Sequence, residues 1–431
     1  MSELNKIALK IISNGKGILA ADESNGTMTK RLTAVNVNST PENRLLFREI
    51  LFSSECMKDC IGGVILYDET INQTTSFGKS IPDLISASGA VPGIKVDTGA
   101  KELANSPEEK ITEGLDGLRD RLKKYYELGA RFTKWRGVYS ISNKYPTRLA
   151  INSNAHALAR YSALVQESGM VPIVEPEVLM DGEHSSDVCL SKTSEIIKKC
   201  FEELILHKVD LSGIILKPNM ILSGTQSKEK IPSEEVSNKT LECLKNSVPS
   251  DVPGIAFLSG GQSEIEATKN LNLINRNNNT NFIMTYSYGR ALQQSALRIW
   301  SKNVKDTELT QYAQRNELTQ LLRSPLTQPT ETFPIFLYEN DNLFVYPTSI
   351  NSNITISYLK TPADVVWGYG VGTLGQFEYN AGTSTNFELS VSEQSNVIIR
   401  ILAYAGLIIQ DPTIISAASQ AVAAQDANEK Q

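Results

Sequence analysis

Ile214-Ile215-Leu216-Lys217-Pro218-Asn219-Met220 is the stretch from which the fold can be read. Three branched or long apolar residues in a row predict a strand buried on both faces, and the lysine falls where Pro218 ends the pairing. That places an amine at the mouth of a core. Burial disfavours an ammonium, and an amine freed of its proton is a nucleophile toward carbonyl carbon. Alone, such a lysine is more often a side chain that snorkels from a strand end into water.

Seven further runs of the same kind surround it. They are Gly17–Asp22, Gly63–Tyr67, Gly93–Asp97, Arg131–Trp135, Val171–Glu175, Ile255–Ser259 and Phe282–Ser287, and with Ile214–Lys217 they start roughly 27 to 46 residues apart. Each interval has room for a strand and a helix. Glu113–Leu122, with leucines three and seven residues apart, and Asn154–Leu164, rich in alanine and leucine, read as two of the helices. Eight such alternations predict an α/β fold of the closed (β/α)8 TIM-barrel type rather than an open doubly wound sheet. In a barrel the chemistry sits at strand C-termini, which here carry Asp22, Lys95, Lys134, Glu175, Lys217, Ser259 and, just past the last run, Gly289-Arg290.

Composition agrees with an ordinary soluble protein. The 431 residues are 41% hydrophobic and carry a formal charge of −6, with no long Lys/Arg cluster, so a nucleic-acid surface is not expected. No stretch of 18 apolar residues and no basic-then-apolar leader occurs, which predicts a cytoplasmic protein without a membrane partner. Five cysteines without a CxxC pair suggest neither a disulfide framework nor a zinc knuckle. His156, His184 and His207 show no ligand spacing, so no metal site and no cofactor are expected.

The charged strand ends form a consistent set for Schiff-base chemistry. Lys134 lies two barrel strands before Lys217 and Glu175 on the strand between, so like-charge repulsion could favour the free amine while Glu175 shuttles protons. Glu177, two residues on, faces the same way in extended chain and can share protonation with Glu175. Ser259-Gly260-Gly261-Gln262-Ser263 is a small-residue turn entering a helix, and Ser287, Gly289 and Arg290 follow the next strand. Backbone N–H groups and an arginine after barrel strands seven and eight suit a phosphate.

Taken in order, Gly17-Ile18-Leu19-Ala20-Ala21-Asp22-Glu23-Ser24, Ile61–Leu66, Gly93–Asp97, Phe132-Thr133-Lys134-Trp135-Arg136, Ile173-Val174-Glu175-Pro176-Glu177, Leu216–Met220, Phe257–Ser263 and Tyr286–Leu292 resemble the class I fructose-bisphosphate aldolases over about residues 1–303. The resemblance implies cleavage of fructose 1,6-bisphosphate to dihydroxyacetone phosphate and glyceraldehyde 3-phosphate, with Lys217 as the Schiff-base lysine. Glu175 would form and dehydrate the carbinolamine, Asp22 would handle the C4 hydroxyl proton, and Lys134, with Glu177, would complete the catalytic set. Lys95 and Arg136 would contact substrate. One phosphate would meet Ser259, Gly260, Gly261, Ser287, Gly289 and Arg290, and the other Ser24, Thr27, Arg31 and Arg44. No metal is implied, and the family suggests a homo-oligomer, a tetramer.

The resemblance fails at the C-terminus. Family chains end in a flexible tail with a terminal tyrosine that assists enamine protonation, whereas this sequence ends Asn428-Glu429-Lys430-Gln431. The predicted organisation is a barrel over 1–303, a helical linker over 304–329 and a small, mainly β domain with one or two helices over 330–431. In that domain Phe333–Tyr338, Leu343–Tyr346 and Ile354–Tyr358 read as strands, and Val397–Ala405 and a segment from Asp411-Pro412 as helices. It loosely resembles a structural protein of tailed-phage particles. Two other functions therefore stand beside the aldolase reading: an assembly or virion-type protein with the barrel as passenger, and a Schiff-base aldolase for a sugar monophosphate. The intact charged set argues against the first, and two anion anchors argue against the second.

Overall fold

The computed structural model describes residues 2–75 and 78–305 and, beyond them, 311–312, 315, 318–319, 322, 328–329, 334–339, 342–350 and 364–385. The chain divides into two compact units, Met1–Thr310 and Gln311–Gln431.

In the first unit eight parallel strands close into a barrel. In chain order the strands of this unit are β1 (Gly17–Ala21), β2 (Ile61–Leu66), β3 (Val91–Lys95), β4 (Gly99–Leu103), β5 (Ser106–Glu113), β6 (Phe132–Tyr139), β7 (Val171–Val178), β8 (Ile215–Leu216), β9 (Gly254–Phe257) and β10 (Ile283–Tyr288). The barrel runs β1-β2-β3-β6-β7-β8-β9-β10 and back to β1, where Ile18 pairs with Ser287. Every residue of β1, β2, β8 and β9 is buried, as expected for strands packed on both faces.

Among the described residues twelve α-helices accompany these strands: α1 (Glu3–Ile12), α2 (Asn25–Thr33), α3 (Pro41–Phe52), α4 (Met57–Cys60), α5 (Asp68–Ile71), α6 (Ile81–Ala87), α7 (Leu118–Glu127), α8 (Arg148–Glu167), α9 (Ser186–Leu206), α10 (Ser233–Ser247), α11 (Glu264–Asn277) and α12 (Arg290–Lys305). Their starts are set by side-chain caps. Ser24, Thr40, Thr147 and Ser185 each accept from the backbone N–H three residues on, and Ser263 with Glu266 forms a full capping box.

Two apolar layers result. A large one lies between strands and helices. A smaller one fills the barrel, where Ala8, Ile11 and Ile12 of α1 pack on Ile18, Ile65, Val91, Phe132, Ile173, Ile215 and Ala256. Helix α1 thus plugs the barrel at the strand N-termini, opposite the charged ends. The plug seats closely: a Cβ on Gly62 would lie 1.9 Å from the Ile11 carbonyl oxygen.

The structure departs from the sequence reading in three places. The helix expected from Glu113 begins at Leu118, because β4 and β5 form an antiparallel hairpin ending at Glu113 and Gly114 takes φ +125°. The buried positions of β5 are polar, Glu109 and Thr112, so apolar periodicity could not reveal it. The helical linker expected over 304–329 is not one helix, since Gln311–Tyr312 within it pairs parallel to Ile335–Glu339. The barrel's last helix continues through the expected 303/304 boundary to Lys305.

In the second unit Ile335–Glu339 pairs antiparallel to Asn342–Tyr346, and Leu318, Ile335 and Leu337 bury together against Tyr346. A separate hairpin joins Tyr369–Val371 to Phe377–Tyr379. The expected strand at Ile354–Tyr358 and helices at Val397–Ala405 and from Asp411 lie outside the described residues.

Candidate active site

The C-terminal ends of the barrel strands open into a cleft of about 920 Å³. All the site residues anticipated from the sequence line it except Arg44.

At its floor is a buried chain of opposite charges. Lys217 follows β8, its N–H donating to the Val174 carbonyl at 2.8 Å, which continues the ladder one residue past the strand. Its Nζ lies 3.0 Å from Glu175 Oε1. The other carboxylate oxygen of Glu175 is 3.4 Å from Lys134 Nζ, an ion-pair distance without a hydrogen bond. Lys134 Nζ in turn sits 2.7 Å from Asp22 Oδ2 at the end of β1. Lys217, Lys134 and Glu175 are each no more than 4% exposed, so little water intervenes.

The electrostatics follow from that packing. For Asp22 and Glu175 burial pushes the carboxyl up, but Lys134 and Lys217 outweigh it and hold both below the ordinary carboxylate range. Burial opposes the Lys134 ammonium, yet Asp22, Glu175 and Asp97 overcome it and hold Lys134 above the usual lysine range. Lys134 is therefore a fixed cation. Glu177 differs: burial dominates over its Arg136 partner, and its carboxyl is raised. Two neighbouring carboxyls pushed in opposite directions can divide proton holding and proton giving between them.

The walls carry the anion anchors. Gly260 and Gly261 adopt φ +56° and +79°, left-handed conformations that glycine takes without a Cβ penalty, and Arg290 Nη2 would lie 4.0 Å from a Cβ on Gly261. Ser287 lines the cleft with a buried hydroxyl that has no hydrogen-bond partner. On another part of the rim Ser24 caps α2, with its hydroxyl 3.1 Å from that of Thr27. Arg31 pairs through Nη1 with Glu23 and with Gln293 Oε1 at 3.1 Å, while its buried Nη2 has no partner. An arginine edge and a serine hydroxyl left unpaired in a buried site both suit an anionic ligand.

Lys95 Nζ lies 2.6 Å from Asp97 Oδ1. Arg136 pairs with Glu177, and its own carbonyl accepts from Thr112 at 2.6 Å, so the unforeseen hairpin braces this strand end. Arg44 is corrected: its guanidinium bonds Glu69 at 2.5 and 2.8 Å and the Ser39 carbonyl at 2.9 Å, and it does not reach the cleft.

Several lining or supporting residues escaped the sequence reading. Asp97 had a signal, since it lies two positions after Lys95 and so on the same side of extended chain. Glu23, Arg121 and Gln293 had none. Arg121 donates from α7 to the Val96 carbonyl at 2.8 Å, and Gln293 from α12 to the Ala20 carbonyl at 2.7 Å; both bonds depend on the closed fold.

The family model for class I fructose-bisphosphate aldolases of glycolysis matches residues 3–326. A probable class 1 fructose-bisphosphate aldolase of Xylella fastidiosa is 46% identical over 305 residues, 71% of this chain and 91% of its own. The cytosolic fructose-bisphosphate aldolase 4 of Arabidopsis thaliana is 48% identical over 312 residues, 72% of this chain and 79% of its own. The solved structure of a Plasmodium falciparum fructose-bisphosphate aldolase superposes with a TM-score of 0.69 at 43% identity, over 70% of this chain and 88% of that one.

Proposed function

Because the chain belongs to the class I fructose-bisphosphate aldolase family, we propose that its cleft cleaves fructose 1,6-bisphosphate reversibly through an imine on Lys217. The observation that carries this reading is the buried run Lys217–Glu175–Lys134–Asp22, linked at 3.0, 3.4 and 2.7 Å.

Each step has a group in reach. Glu175, 3.0 Å from Lys217 Nζ, takes the ammonium proton, and the free amine adds to the C2 carbonyl of the open-chain sugar. The carbinolamine hydroxyl leaves as water on receiving a proton from Glu175, with Glu177 beside it, its carboxyl pushed above the ordinary range by burial. Asp22, held ionised by Lys134, removes the C4 hydroxyl proton; the C3–C4 pair flows into the iminium, releasing glyceraldehyde 3-phosphate and leaving the enamine. Protonation at C3 and hydrolysis of the imine return Lys217 and dihydroxyacetone phosphate. Lys95 and Arg136 contact the substrate.

The two anchor groups, Ser259–Gly261 with Ser287, Gly289 and Arg290, and Ser24 with Thr27 and Arg31, favour a bisphosphate over a monophosphate. We assign the protein to the cytoplasm on its likeness to the cytosolic fructose-bisphosphate aldolases 4 and 6 of Arabidopsis thaliana; no helix among the described residues is long and apolar enough to cross a membrane. A homotetramer is the proposed assembly, and the chain from Gln311 onward forms a unit separate from the barrel.

Borohydride reduction in the presence of dihydroxyacetone phosphate, followed by peptide mapping, tests the mechanism. A stable adduct on Lys217, lost in Lys217→Ala, is expected; an adduct only elsewhere, or none, excludes an imine on Lys217.

A further inference from the structure

Two histidines that show no ligand spacing in the sequence meet in the outer helical layer. His156, on α8, faces the C-terminal end of α9, where Glu203 and the capping residue His207 stand four positions apart on one helical face. We propose that His156, Glu203 and His207 bind a divalent transition-metal ion of the zinc class. The three offer one ligand atom each, all within 4.8 Å of one another.

The hydrogen bonds fix how they would do so. His207 Nδ1 lies 2.8 Å from the Glu203 backbone carbonyl, an atom that only accepts, so Nδ1 carries the hydrogen and Nε2 keeps its lone pair. A backbone carbonyl holding the far nitrogen is how metal-ligating histidines are usually oriented. Glu203 Oε2 lies 3.3 Å from His156 Nδ1, while Lys199 occupies the other carboxylate oxygen at 3.0 Å and steadies it. The rings meet edge to face with centroids 4.9 Å apart. Zinc–ligand bonds near 2.0–2.1 Å in a tetrahedron require ligand atoms roughly 3.4 Å apart, so the widest pair must tighten by up to about 1.4 Å. His156, half exposed on its own helix, has the freedom to rotate inward.

An ordinary ion pair explains the group less well. His207 turns its Nδ1 to the carbonyl and leaves the Glu203 carboxylate at 3.9 Å. Two imidazoles and one carboxylate favour Zn²⁺, Co²⁺, Ni²⁺ or Cu²⁺ over Mg²⁺ or Ca²⁺, and the helix C-terminus adds a favourable dipole for a cation. The site shares no lining residue with the catalytic cleft and stands independently of the aldolase reading. Bound metal would clip α8 to α9.

The test uses the full chain, stripped with a chelator and dialysed, then titrated with Zn²⁺ against a chromophoric chelator and separately with Co²⁺ in the visible range. One equivalent should bind, Mg²⁺ should not compete, and Zn²⁺ should raise the melting temperature. His156→Ala and His207→Ala should each weaken binding roughly tenfold or more, while Cys56→Ser with Cys60→Ser should not. Cleavage activity at the parent level reports that each variant is folded, and His207→Gln serves if the alanine variant is not. Zinc affinity unchanged in the histidine variants, thiolate bands in the Co²⁺ spectrum, or no stoichiometric binding would overturn the proposal.

Discussion

Replacing Glu175 by glutamine is the sharpest perturbation of the cleft, because it removes one charge and almost no volume. The carboxylate sits 3.0 Å from one ammonium and 3.4 Å from another. At an effective dielectric of ~20 each contact is worth about 5 kcal/mol of attraction. The cost of burying the charges offsets much of that, and breaking a buried pair typically costs about 3–5 kcal/mol net. A domain of ordinary stability, about 5–15 kcal/mol, stays folded at 25 °C after such a loss. Catalysis does not survive as well: glutamine neither takes the Lys217 proton nor gives one to the carbinolamine hydroxyl. A positioned acid/base contributes about 10²–10⁴-fold, or about 2.7–5.5 kcal/mol of barrier. Single-turnover trapping of the dihydroxyacetone phosphate imine with borohydride should slow by that factor, while the circular dichroism spectrum remains unchanged. Imine formation at the parent rate in a folded variant would remove Glu175 from the proton path.

Asp22→Asn should show a pH-dependent stability deficit. The Asp22 carboxyl is held below its ordinary 3.8 in the folded state, so its contribution is complete above that value and lost as pH falls through the lower folded value; urea midpoints of parent and variant should differ constantly above about pH 5 and converge below about pH 4. Gly62→Ala drives a Cβ to 1.9 Å from the Ile11 carbonyl oxygen, so the plug helix must shift, at a cost of about 3 kcal/mol read as a lowered melting temperature with cleavage chemistry intact below it. Removing everything after residue 310 should leave a folded barrel, since α12 with Leu297 and Trp300 stays packed on α2 and α3, and should preserve the ratio of turnover on fructose 1,6-bisphosphate to that on fructose 1-phosphate. A selective loss on the bisphosphate would mean that the later residues supply a catalytic group.

The barrel was legible because its grammar is local. Apolar runs end in Asp22, Lys95, Lys134, Glu175 and Lys217, and strand C-termini are where a buried strand can first present a charge. The β4–β5 hairpin was hidden because its buried side chains, Glu109 and Thr112, are satisfied by partners distant in sequence: Glu109 accepts from Thr147 Oγ1 at 2.5 Å, and Thr112 Oγ1 donates to the Arg136 carbonyl at 2.6 Å. Arg44 misled for the converse reason. A buried arginine looks alike in sequence whether it awaits an anion or already holds one, and only the fold supplies Glu69. Gln293 and the His156–Glu203–His207 group share that character, each existing only once separate helices have docked.

The plug and the seam together set an order on how this barrel can come into being. Helix α1 precedes every barrel strand in the chain, yet it packs in the barrel interior among strands that include Ala256 of β9. Strand β1 must likewise wait for β10, which begins at Ile283, 266 residues after Gly17, and at ~5–20 residues per second emerges about 13–53 s later. Throughout that interval a nascent chain carries an apolar helix face and one open sheet edge with nothing of its own to cover them. The same closure that gives the finished site its rigidity therefore makes the unfinished chain dependent on temporary partners, and mutations that slow the docking of α12 should reduce yield of soluble protein before they alter the activity of what folds.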